Sequence, residues 1–170
     1  VISTGSPARL PKISNLLTDV EIPRSAWAAW IPSEGSRQLR RTLTEVERSA
    51  LVARRDELAP AVLGFADFER NKVALALADM FGSFPSMRQS GSEVMARLDA
   101  AQRVLEPYPL WAIRRACLSI QSNGVWREEK FDRQWPPSDA EIVASVRAEM
   151  RLYANQYHSA VALLAATVEE

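Results

Sequence analysis

The stretch Phe131-Asp-Arg-Gln-Trp-Pro-Pro-Ser-Asp-Ala-Glu-Ile142 (FDRQWPPSDAEI) marks where the longest periodic segment of this chain begins. Pro136 and Pro137 fix two successive φ angles at about −65° and stiffen the approach. Ser138-x-x-Glu141 has capping-box spacing: hydroxyl and carboxylate each accept from a backbone N–H left unpaired at a helix start. Asp139 adds negative charge beside the positive helix end. Trp135 is expected to pack just before the turn. Beyond it, Ile142, Val146, Met150, Tyr153, Tyr157, Val161 and Leu164 recur at fours and threes. That spacing predicts one helix of about 26 residues, about 40 Å long at 1.5 Å per residue.

Upstream the pattern is helical again, in shorter pieces. Residues 43–59 carry Val46, Ala50, Ala53 and Leu58 as an apolar stripe with Leu51 beside it. Glu45, Glu47, Arg48, Arg54, Arg55 and Glu57 are expected to cover the solvent side, and Pro60 to follow the helix. Thr42-x-x-Glu45 and Thr44-x-x-Glu47 both fit a capping box. Residues 66–82 place Val73, Leu77, Met80, Phe81 and Phe84 on one face, with Gly82, Ser83 and Pro85 as the stop. Residues 91–105, capped by Ser90 and Glu93, turn Val94, Leu98, Ala101, Val104 and Leu105 inward. Pro109 suits the first position of a fourth helix, because the first N–H groups of a helix need no partner within it. Its stripe is Leu110, Ile113, Ala116, Cys117 and Ile120, and Asn123-Gly124 supplies a left-handed stop. The connector that follows holds Trp126, Phe131 and Trp135, rings expected to lie against the bundle rather than leave large apolar area in water.

Residues 1–41 read differently. Pro7, Pro11, Pro23 and Pro32 interrupt them, and few apolar positions are periodic. Within this stretch Trp27 and Trp30 are three apart, so they share a face if the piece is helical. Prolines on either side limit that helix to about two turns, too short to persist alone. It must dock, either on its own domain or on a partner. The expected organisation is therefore an extended proline-containing arm, 1–41, and a helical domain, 42–170. The fold class is all-α: an irregular bundle of about five helices with a long C-terminal helix. No segment shows sustained period-two alternation, so no sheet is expected. The four shorter helices reach about 25 Å at most. The last one should overhang them, leaving an apolar face for the arm, a second copy or a partner to cover.

Composition narrows the function classes. The chain has 170 residues, 47% hydrophobic and 25% charged, with 21 basic against 21 acidic residues. Zero net charge argues against a strongly basic nucleic-acid binder, leaving a local basic face such as Arg114-Arg115 as the candidate nucleic-acid contact. Eighteen of the basic residues are Arg; genome composition accounts for that, as do interfaces, where the planar guanidinium pairs carboxylates and stacks on rings. One cysteine, Cys117, rules out an internal disulfide and suits a cytoplasmic setting. It lies at an apolar helix position, as a buried small hydrophobe does. No apolar run approaches membrane-spanning length, and VISTGSPARLPK lacks the order of a signal peptide.

Catalytic patterns are absent from the sequence. His158 is the only histidine, and its neighbours one turn away, Ala154, Asn155, Val161 and Ala162, offer no metal ligand. There is no Gly-x-Ser-x-Gly elbow. GSFPSMRQSGS has neither the Gly-Lys-Ser/Thr nor the preceding strand of a phosphate loop. The expectation is a protein with no catalytic residues, no metal and no cofactor.

Three pieces carry a family resemblance: ADMFGSFPS (78–86), LEPYPLWAIRRA (105–116) and QWPPSDAEIVASV (134–146). A helix ending in Phe-Pro, a helix opening on Tyr-Pro and an aromatic-Pro-Pro-Ser helix start resemble the non-ATPase phage helicase-loader group over residues 66–146. The resemblance implies a compact helical accessory protein of phage or prophage DNA replication that acts on a replicative helicase, as loader or inhibitor. The expected partner-binding residues are Tyr153, Tyr157, Val161 and Leu164 on the overhanging helix, with Trp27 and Trp30 in the arm. Two alternatives remain: a structural phage protein that oligomerises through its C-terminal helix, and a DNA-binding regulator.

Overall fold

The computed structural model describes residues 26, 38–39, 41–88, 91–123 and 135–168. Among these, five α-helices follow in chain order: α1 (Glu45–Val62), α2 (Arg70–Gly82), α3 (Gly91–Leu105), α4 (Leu110–Asn123) and α5 (Asp139–Ala165). Short 3-10 turns, Asp67–Glu69 and Pro85–Arg88, bracket α2. The class is all-α, as the periodicity predicts. The exception to the expected lack of sheet is a parallel pair of two-residue strands, β1 (Gln38–Leu39) and β2 (Thr167–Val168). Two residues are too few to show alternation.

The helix starts follow the capping chemistry. At α5 the Ser138 N–H donates to Glu141 Oε2 at 2.7 Å, and the Glu141 N–H donates to Ser138 Oγ at 3.3 Å. At α1 the chain uses the second of the two available boxes. The Thr44 N–H donates to Glu47 Oε2 at 2.8 Å, and the Glu47 N–H donates to Thr44 Oγ1 at 3.2 Å. Arg41 then grips the same carboxylate with both terminal nitrogens, at 2.9 and 2.8 Å.

α1 is turned away from the expected orientation. The buried line runs Glu47, Leu51, Arg54, Leu58 and Ala61, while Val46 is 80% exposed and Ala53 is exposed. Glu47 and Arg54, expected on the solvent side, are inside because each charge is met by partners. The helix also passes through Pro60 to Val62 rather than stopping before it. A proline in the last turn forfeits one hydrogen bond, and the two residues beyond it are buried.

The described residues divide into two compact units. The first runs from Leu63 to Met150 and holds α2, α3, α4 and the first part of α5. Its core is Val73, Leu77, Met80 and Phe81 of α2, Leu98, Ala101 and Leu105 of α3, Ile113, Ala116, Cys117 and Ile120 of α4, and Ile142, Val146 and Met150 of α5. These are most of the positions that helical spacing selects; Val94 and Leu110 are half-buried, and Val104 is exposed. α2 packs on both α4 and α3. Arginines tie the ends together. The Arg97 guanidinium lies 5.7 Å from the Phe81 ring centroid, donates to the Pro137 carbonyl at 2.5 Å and pairs with Asp139 Oδ1 at 3.5 Å. Arg147 lies over the Tyr108 ring, and its Nε donates to the hydroxyl at 2.9 Å. Pro137, buried and held by Arg97, anchors the turn into α5; Trp135 does not pack there and is 59% exposed. Ser90, Gly124, Trp126 and Phe131 lie outside the described residues.

The second unit comprises the described residues up to Val62 and those from Arg151 onward. Its core joins Ala26, Leu39, Leu43 and Leu51 to Ala160 and Leu163 of α5, with Leu164 and Ala166 packed at the edge. Most of the expected arm lies outside the described residues, but Ala26 and Leu39 belong to it, and both are buried in this cluster.

Two substitutions test these constraints in urea or thermal unfolding. Ser138→Ala removes an N-cap oxygen and should cost about 1 kcal/mol. At Gly64 a Cβ would run into the Glu106 carbonyl oxygen, where the Phe65 N–H donates to the Tyr108 carbonyl at 3.0 Å. Gly64→Ala must shift backbone and should cost about 1–3 kcal/mol; an unchanged midpoint would contradict the close approach.

Candidate interaction site

The distal part of α5 carries most of the expected contact residues. Along the first part of the helix the buried positions are Ile142, Val146 and Met150. Beyond Met150 the innermost positions are Gln156, Ala160 and Leu163. Gln156 is half-buried and receives Arg54; Ala160 and Leu163 are fully buried. Tyr153, Tyr157, Val161 and Leu164 stand beside this line, and all four are half-buried. Leu164 packs against the second unit's core, so it serves the fold. The Tyr157 ring meets the His158 ring edge-on, centroids 5.5 Å apart at 74°. The four therefore lie together on one side of α5, less exposed than a bare overhang would leave them. Ala26, Leu39, Leu43 and Leu51 pack with Ala160, Leu163 and Leu164 on this part of the helix. Trp27 and Trp30 lie outside the described residues.

The arginine pair divides. Arg115 Nε meets Glu149 Oε2 at 2.9 Å, so its charge is neutralised within the first unit. Arg114 is half-buried. The other adjacent pair is likewise engaged: Arg54 is buried, and Arg55 meets Asp56 at 2.8 Å. No continuous basic face arises from these four residues.

Sequence reasoning missed several surface side chains. Phe68, 80% exposed, sits on the 3-10 turn before α2, and Leu75 is exposed two turns along that helix. Lys72 and Asp79 share their face at i+4 and i+11 from Phe68. A hydrophobic residue among Asp67, Glu69 and Arg70 was the signal available, since one apolar side chain in a charged turn has little to pack on.

Among the described residues no group of three or more His, Cys, Asp or Glu side chains is placed to hold a metal ion. No described helix is long and apolar enough to cross a membrane. No protein-family model, curated protein or solved structure matches this chain.

Cys117 is buried in α4, and burial pushes its thiol from an ordinary 9.0 up to about 12, with the Asp79 carboxylate adding to the rise. The thiolate is the nucleophile, so iodoacetamide at pH 8 should leave the folded protein unlabelled by mass spectrometry and label it in denaturant. The folded value lies above the unfolded one. The associated stability is complete below about pH 9 and is lost as pH rises toward 12. Labelling of folded protein at pH 8 would contradict this placement.

Proposed function

We propose that this chain is a non-enzymatic accessory protein of phage or prophage DNA replication that docks on a replicative helicase in the cytoplasm, as loader or inhibitor. The observation that supports it is the half-covered side of distal α5, where Tyr153, Tyr157 and Val161 follow one another at four-residue spacing. Amphipathic helices of this kind are recognised through anchors at such spacings laid into an apolar groove. Tyrosine suits the role because its ring supplies apolar area while its hydroxyl tolerates water. The resemblance of residues 66–146 to non-ATPase helicase loaders supplies the class of partner. Leu164 is a minor contributor, since it already packs in the fold. Arg115 is spent on Glu149, which weighs against the DNA-binding alternative.

The same side of α5 also fits a second copy of the chain, the reading in which the protein is an oligomerising phage factor. A capture experiment with purified replicative helicase at micromolar protein separates the two. The docking reading expects a monomer by light scattering and a helicase complex weakened at least tenfold by Tyr157→Asp combined with Val161→Asp. A stable homodimer abolished by Tyr157→Asp, with no helicase captured, replaces it with the oligomer. A monomer that captures no helicase overturns both.

A further inference from the structure

One charged side chain of the second unit is withdrawn from water altogether. The Arg54 side chain is 0% exposed. Its Nε donates to Gln156 Oε1 at 3.0 Å, its Nη2 donates to the same oxygen, and its Nη1 donates to Glu57 Oε2 at 2.8 Å. The partners are one neutral amide and one carboxylate that is itself 22% exposed. Apolar side chains of similar volume often fill such a site with no loss of stability, because the desolvation of a buried charge offsets its attractions. Stability alone therefore does not account for this pair.

Axial placement does. The strand just before α1 pairs with the strand just after α5, and Arg54 in the middle of α1 reaches Gln156 in the distal part of α5. The two helices thus run antiparallel. One turn beyond Gln156, on the side of α5 that carries it, lie the small side chains of Ser159 and Ala160. A low-relief surface has shallow ridges, and shallow ridges resist sliding weakly. Hydrogen bonds add what packing lacks. The positions four residues either side of Gln156 are Leu152 and Ala160, and neither side chain can accept a hydrogen bond. A four-residue slip would leave Arg54 Nε and Nη2 without Gln156's acceptor, which is costly in the interior, while Nη1 keeps Glu57 on its own helix.

We infer that the Arg54–Gln156 hydrogen bonds set the register of α1 against distal α5, and so determine that Tyr153, Tyr157 and Val161 are the side chains left half-covered. Arg54 and Gln156 are positioning residues. The inference concerns packing within one unit and stands whether or not a helicase is the partner.

The test uses the full chain with Cys117→Ala and spin labels at Ser49→Cys and Arg151→Cys, both exposed sites. The parent should give one narrow inter-label distance. Arg54→Met with Gln156→Leu should broaden it or add a second distance about 5 Å away, one helical turn, while the thermal midpoint stays equal or rises. Gln156→Glu keeps an acceptor and should preserve the narrow distance. A single unchanged distance in the apolar pair would overturn the inference. So would broadening in Gln156→Glu, or an apolar pair without cooperative unfolding, which would make the polar pair a source of stability rather than of register.

Discussion

A helix of 27 residues presents more apolar length than one small layer of helices can cover, and that mismatch organises this chain. α5 meets it by giving successive stretches of itself to different cores. Its first part is buried as Ile142, Val146 and Met150, its later part as Ala160 and Leu163. The capping box at Ser138 and Glu141 fixes where the helix begins, and therefore which side chains enter each core.

The second organising device is the guanidinium group. Arg97 and Arg147 lie over rings of the first unit while bonding to oxygen, and Arg70 lies 5.7 Å from the Phe65 centroid while pairing with Glu106 at 3.2 Å. Arg41 holds Glu47, and Arg54 holds Gln156. A flat cation with five donors can stack and bond at once, which an ammonium group cannot do as well. Exposed ion pairs such as Arg70–Glu106 contribute little to stability by themselves; their value lies in orientation. The abundance of arginine, open in the sequence between genome composition and interface use, has structural employment at each of these positions.

Much of the fold was legible in the residues. Val73, Leu77, Met80 and Phe81 repeat at helical spacing and are buried, as is the stripe from Ile113 to Ile120. The box at Ser138 was readable because capping is local chemistry. α1 was misread for an equally physical reason. Its inward line includes Glu47 and Arg54, and charge marks a solvent face unless the partners are known. Arg41 is near in sequence, but Gln156 lies 102 residues away and could not be anticipated. Trp135 shows the reverse error: an aromatic ring beside two prolines suggests an anchor, yet Pro137 and Arg97 hold that turn. For the candidate site, the sequence located Tyr153, Tyr157, Val161 and Leu164 on one side of α5, but not how far the early residues Ala26 and Leu39 would help cover that helix's distal part.

The division of the chain has a consequence for its birth on the ribosome. α1 is made before the residues from Leu63 to Met150, yet its core companions Ala160 and Leu163 come after them. The pairing of Leu39 with Val168 closes a loop around that whole intervening stretch. Domains tend to fold as units while synthesis proceeds, and the residues from Leu63 to Met150 are contiguous. They can condense as they emerge, whereas α1, made before them, must wait with its apolar line unshielded until distal α5 has followed.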